Sequence, residues 1–329
     1  MTVAPPQVLL VSLGATGGLR AADEQFAQAL RHAGAQVSVA VARPPRERRT
    51  FALTDLSWAL AARAATRAAL VQRPASVVVY SSVTAALCWA RRGAIRFDAP
   101  ARGNRPGRHG LWQRPFERRR LLQASVLVPW SSGALLEAGL AADHARAVVV
   151  PVAVARSGPP PAQRDIAAIS YAANPHKKGT DRVLAAWRAV RRPGEELVLA
   201  GADLDVREDG VRVAGALPTA EYRALLRRAR VFVCAPRRED YGIAQLEALA
   251  DGCRLVTTPA PGPYAALPLA RALDARLVSE ALGPALRLAL DDPPGDYAER
   301  SAALLAPFAP AAVDACVAQR LLPRLRSAH

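Results

Sequence analysis

Two blocks of alternating strand-like and helix-like segments, separated by one proline-rich break, constrain this 329-residue chain more than any other feature. In the first block QVLLVSL (7–13) reads as a strand, GATGG (14–18) as a Gly-rich turn and LRAADEQFAQALRHAG (19–34) as an amphipathic helix. Strands follow at QVSVAV (36–41), SVVVYSS (76–82), AIRFD (94–98), SVLVPW (125–130) and AVVVPVAV (147–154), with helical stretches between them. The break ARSGPPPAQRD (155–165) has linker composition. The second block runs through strands at 166–173, 196–201, 211–217, 231–236, 254–258 and 275–278, and closes on a helical segment with a Pro interruption. Apolar runs alternating with helices predict α/β domains built on parallel sheets. The expected division is 1–155, 156–300 and a closing helical segment 301–329.

The length suffices for two ordinary domains with sizeable cores. The start runs directly into a strand without a basic n-region, so no secretory signal is expected. No stretch reads as a membrane span of roughly 20 apolar residues. Cys88, Cys234, Cys253 and Cys316 lack metal or redox spacing and are expected as thiols in a reducing cytosol. With no metal-ligand cluster, neither a metal nor any other cofactor is expected. The net charge of +16 favours anionic partners. Arginine supplies almost all of the positive charge. The only two lysines, Lys177 and Lys178, stand side by side in ANPHKKGTDRVLAAW. An ammonium is a compact point charge and a guanidinium a planar fork. The retention of lysine here points to a specific phosphate, with Lys178 first in line.

The densest motif is RREDYGIAQLEALADG (237–252), between the strands VFVCAP and RLVTT. It predicts a loop at the C-terminal edge of a sheet carrying Glu239. A helix follows that opens at Gly242, carries Glu247 and closes at Gly252. The free N–H groups of Gly242, Ile243 and Ala244 would form a phosphate-binding helix start. Two carboxylates for hydroxyls beside amides for a phosphate suit a nucleotide sugar. The acidic spacing alone equally fits an ordinary amphipathic helix.

This string resembles the signature of the retaining, family 4 type of GT-B glycosyltransferases. The resemblance spans nearly the whole chain through its two-block plan. It implies an α/β, GT-B fold, with two Rossmann-like domains facing each other across a cleft and the closing helices returning to the first. By resemblance Glu239 contacts the donor sugar, Glu247 the ribose, and Gly215 the nucleobase through its backbone. Lys178 would neutralise the leaving diphosphate, with Lys177 beside it. The family commonly carries an Arg a few residues upstream of that lysine; here Tyr171, Ala172 and Ala173 stand in its place. The first Gly-rich loop would bring Gly17 and Gly18 to the donor. Asp98, at the end of AIRFD, lies where the family often places a His or Asp near the reacting sugar.

The implied activity is transfer of a sugar from a UDP- or GDP-linked donor to a glycan, lipid-linked or small-molecule acceptor, with retention and without a metal. The loop 99–120 carries Arg105, Arg108, His109 and Arg114 with Trp112 and Phe116 interleaved, and reads as a solvated face, an acceptor patch or an anionic-membrane contact. The expected setting is cytoplasmic, peripheral at the inner face of a membrane. A catalytically silent GT-B partner subunit and a basic nucleic-acid-binding protein are the alternatives. The latter is disfavoured because the arginines are scattered and no recognised nucleic-acid module is present.

Overall fold

The computed structural model describes residues 5–46, 48–159, 161–292 and 294–327, with His109 described in its backbone alone. The chain forms two compact units, one of residues 1–153 with 310–329 and one of residues 154–309.

The first unit holds a five-stranded parallel sheet in the order β2-β1-β3-β4-β5. Its strands are β1 (Gln7–Ser12), β2 (Gln36–Val41), β3 (Val77–Tyr80), β4 (Ala94–Phe97) and β5 (Leu127–Pro129). Alternate residues of β1 feed opposite faces, as the strand period of two requires. Val8 and Leu10 join one core with Phe26 and Leu30, while Leu9 and Val11 join the other with Val78 and Ile95. Both faces are covered, which is why these strands read as continuous apolar runs.

The second unit holds another five-stranded parallel sheet, ordered β10-β9-β6-β7-β8. Its strands are β6 (Ile166–Tyr171), β7 (Leu197–Ala200), β8 (Val211–Gly215), β9 (Ala229–Cys234) and β10 (Arg254–Thr257). Counted within the unit this is the Rossmann order 3-2-1-4-5, and strand order reverses between β6 and β9. Chain segments leaving the C-terminal ends of those two strands are therefore brought side by side.

Two expected strands are absent. Residues 147–154 run beside β5, where Val148 N–H donates to Leu127 and Val150 N–H to Pro129. Pro129 has no N–H to return, and only an isolated bridge between Leu127 and Ala147 results. Residues 275–277 form a 3₁₀ turn capped by Asp274, leaving one bridge between Thr257 and Val278. The helix expected from residue 19 begins at Gly17 with Thr16 as its cap. Gly17 and Gly18 thus occupy its first turn and not a free loop.

The return to the first unit begins at Pro310, later than the expected 301. The stretch Tyr297–Ser327 is long and apolar enough to cross a membrane, contrary to the sequence expectation. Extended backbone at Ala309 nevertheless splits it, and Val313, Val317, Leu321, Leu322 and Leu325 are buried in the first unit's core. The proline-rich segment is likewise no free tether. Both the N–H and the hydroxyl of Ser157 donate to Asp251, at 2.8 and 3.0 Å.

Candidate functional site

The topological switch of the second unit joins the two most distinctive sequence motifs. After β6, Asn174 caps the short helix Pro175–Lys178 by accepting from the Lys177 N–H at 2.9 Å. After β9, the loop 235–241 leads to the helix Ile243–Ala250, capped by Gly242. The Arg237 N–H donates to the Lys177 carbonyl at 3.0 Å and ties the two segments together.

On this frame Lys178 Nζ donates to Glu239 Oε2 at 2.7 Å, with the side chains 19% and 5% exposed. Gln245 Nε2 donates to the same oxygen at 3.0 Å. Glu239 Oε1 has no partner among the described residues. The carboxylate is thus held by two donors through one oxygen, and the other is available to a hydroxyl. Gly242 adopts φ +91°, and a Cβ there would fall 2.8 Å from the buried Tyr264 ring. Glycine alone therefore lets the helix start this close to Tyr264. The N–H groups of Ile243 and Ala244 belong to the first helical turn, which has no intrahelical acceptors to offer them.

Beside this pair lies a second, which the sequence reading did not single out. Asp240 accepts from Lys177 Nζ on one oxygen and from Arg238 Nε, at 2.8 Å, on the other. Burial by itself would raise the Asp240 carboxyl, but Lys177 and Arg238 outweigh it and hold it below its usual range. Lys177, Lys178, Arg238, Glu239 and Asp240 form one compact patch with a surplus of one positive charge.

Glu247 sits further along the same helix. Arg223 Nη1 lies 3.4 Å from Glu247 Oε1, and Arg223 Nε donates to the fully buried Asp251 at 2.6 Å. Burial raises the Glu247 carboxyl, with Arg223 opposing the shift. Its neighbours are Tyr171, at the end of β6, and Tyr222, whose rings lie 5.2 Å apart. The Tyr222 hydroxyl is buried without a partner among the described residues. Gly215 ends β8 at φ +71°, and its carbonyl accepts from the Gly201 N–H at 2.7 Å. Gly201 in turn abuts the Tyr171 ring. Glu247, Gly215 and Tyr171 therefore lie along one sheet edge.

The first unit's candidates divide differently. Asp98 ends β4 and caps the following turn by accepting from the Ala99 N–H at 2.8 Å. That turn is anchored from below, because the Ala101 N–H donates to the buried Glu117 at 2.5 Å. Burial pushes the Glu117 carboxyl up to about 7. Arg105 is committed to Asp55 at 3.0 Å, and Arg114 donates to the Arg105 carbonyl at 2.9 Å. Both arginines hold the loop together instead of presenting open forks. Arg108 is exposed; the His109 side chain lies outside the described residues. Near Gly17 and Gly18 a buried cluster braces the start of their helix. Asp23 accepts from Ser12 at 2.5 Å and from Arg96 at 3.2 Å, and the Arg96 guanidinium lies between Phe26 and Trp130.

Comparison with known proteins defines the class. Over 99% of this chain and 100% of the other, the fold matches "Sucrose-phosphate synthase (tll1590) from Thermosynechococcus elongatus" with a TM-score of 0.68 at 16% identity. It also matches WaaG, a glycosyltransferase involved in lipopolysaccharide biosynthesis, over 98% of both chains with a TM-score of 0.66 at 16% identity. A third match is the glycosyltransferase of kitacinnamycin, over 98% of this chain and 99% of the other, with a TM-score of 0.61 at 17% identity. No curated protein matches by sequence. The architecture is the GT-B glycosyltransferase fold. Residues 163–282, which carry Lys178, Glu239 and Glu247, match the family "Glycosyl transferases group 1".

Proposed function

We propose that the protein transfers a glycosyl group from a nucleotide-diphosphate sugar to a glycan, lipid-linked or small-molecule acceptor, with retention and without a metal. The observation that carries this reading is the Lys178–Glu239 pair at 2.7 Å beside the Gly242-capped helix start. A diphosphate needs fixed positive charge as its bond to the sugar breaks. Lys178 provides that charge, with Lys177 and Arg238 next to it. In departure, the bond between the anomeric carbon and the diphosphate oxygen breaks and its electron pair stays on the phosphate. The ammonium and the helix N–H groups meet the charge as it forms. Glu239 holds a donor-sugar hydroxyl through Oε1, and the acceptor oxygen bonds to the anomeric carbon on the face the diphosphate leaves, giving up its proton to the departing phosphate oxygen.

Glu247 binds the ribose, and Gly215 with Tyr171 borders the base, which is that of UDP or GDP. Two cations around Asp240 supply charge where the family's upstream Arg is replaced by Tyr171, Ala172 and Ala173. Asp98 is assigned to the acceptor. The setting is the cytoplasm.

The test is a thermal-shift panel of UDP, GDP and their sugars, followed by mass-spectrometric detection of donor hydrolysis. Stabilisation by a nucleoside diphosphate and slow release of free sugar are expected. Stabilisation by oligonucleotides and by no nucleoside diphosphate would overturn the reading. Donor binding with no hydrolysis or transfer to any acceptor would favour the silent partner subunit.

A further inference from the structure

A coherent apolar and basic surface lies on the first unit, formed by the start of the helix Phe51–Gln72, the turn Gly107–Gly110 and the helix Gln113–Gln123. These pieces are fastened together. Arg105 lies 5.6 Å over the Phe51 ring and pairs with Asp55 on the same helix. Arg114 donates to the Arg105 carbonyl, and the Trp112 and Phe116 rings pack edge to face at 6.1 Å.

What the surface presents to solvent is unusual for a helix exterior. Phe51 is 66% exposed, Leu111 64%, Phe116 50% and Leu122 49%. Phe116, Arg119 and Leu122 follow one another along the outward side of the helix, while Gln113, Glu117 and Leu121 are buried. Its amphipathicity is therefore doubled, with a core side and a second apolar strip facing water. Interleaved with that strip are the exposed Arg108, Arg118 and Arg119, and Arg48 and Arg49 precede Phe51. Between residues 99 and 123 there are seven arginines and one carboxylate. That carboxylate, Glu117, is only 4% exposed. No negative side chain from this segment reaches the surface.

We propose that this surface docks on an anionic lipid interface. Phe51, Leu111, Phe116 and Leu122 would enter the boundary between headgroups and acyl chains, and the arginines would pair with lipid phosphates. Charge complementarity selects this occupant. A second copy of the chain would bring a like-charged face against it, and a nucleic acid would gain little from exposed leucines. The inference does not depend on the transferase reading, since attachment is measured without turnover.

The experiment is co-sedimentation of the full chain with vesicles of phosphatidylcholine, alone or mixed with phosphatidylglycerol. Binding is expected only to the mixed vesicles, weakening as salt rises. The double variants Leu111→Ser/Phe116→Ser and Arg118→Glu/Arg119→Glu should each lower partitioning on the order of tenfold. Their melting temperatures should stay near that of the unmodified protein, because these side chains are exposed. Arg207→Glu in the second unit, whose side chain is 91% exposed, is the charge-reversal control and should bind as the unmodified protein does. Absence of binding to phosphatidylglycerol vesicles, or an equal loss in Arg207→Glu, would overturn the proposal. So would an oligonucleotide that binds more tightly than vesicles and is weakened by the arginine variant alone.

Discussion

Gly179 packs directly on the carbonyl of Ala235: a Cβ built on Gly179 would stand 1.9 Å from that oxygen. Its φ of +64° adds a second demand for glycine. This contact brings the lysine-bearing helix onto the loop that carries Glu239, so the glycine after Lys178 sets the reach of the ammonium. Gly179→Ala must push the two segments apart. The expected outcome is a stability loss of about 2–4 kcal/mol in urea unfolding, with glycosyl transfer reduced more than donor binding. A variant with unchanged stability and turnover would show that the close approach is dispensable.

Removing either member of the Lys178–Glu239 pair has a structural as well as a chemical effect. Lys178→Ala leaves a nearly buried carboxylate with Gln245 as its only described side-chain donor. Such an orphaned charge costs about 3 kcal/mol or more. Lys178→Met combined with Glu239→Gln removes both charges and should recover most of that stability. Turnover should remain depressed by about 10²–10³-fold in the single and double variants alike. Chemical denaturation and initial rates on the same three proteins separate the two effects. Recovery of turnover in the double variant would remove the pair from the chemistry.

The parts of this site legible in the sequence are those encoded by local chemistry. Glu239, Gly242 and Glu247 share one strand–loop–helix unit, and the lysine pair stands out because the chain uses arginine everywhere else. Asp240, Gln245 and Arg223 gave no such signal, since their meaning lies in their partners. Arg223 pairs with Glu247 and Asp251, 24 and 28 residues away. Arg105 misled for the same reason. As a string it looks like an open fork, yet Asp55, 50 residues earlier, closes it. Apolar β-branched runs predicted the sheets well and failed at 147–154, where proline removes the donor that a reciprocal ladder requires.

Transfer should persist in excess EDTA. No group of three His, Cys, Asp or Glu side chains among the described residues is placed to hold a metal ion, whereas Lys177, Lys178 and Arg238 already converge beside the helix start. Initial rates after chelation, and again after adding magnesium, test the point. A strict requirement for the divalent ion would mean that the two carboxylates serve a metal and not the sugar.

Glu117 makes the first unit's stability depend on pH in a direction opposite to that of an ordinary paired carboxylate. Burial is the main cause of its rise from 4.5 to about 7, with Asp55 adding to it and the Ala101 N–H and Arg105 opposing it. A carboxyl raised on folding favours the folded state fully below its unfolded value. That contribution is lost as pH climbs from about 4.5 through 7, and the difference between the plateaus is roughly 3 kcal/mol. Glu117→Gln keeps an acceptor for the Ala101 N–H and cannot ionise. Urea unfolding at pH 5 and pH 8 should therefore show the unmodified protein losing roughly 2–3 kcal/mol more than Glu117→Gln over that interval. Since the Ala101 contact secures the turn after Asp98, the same variant should also flatten any loss of transfer activity above pH 7 that arises from loosening of this turn. Parallel stability profiles for the two proteins would show that Glu117 ionises in the folded chain as easily as in water.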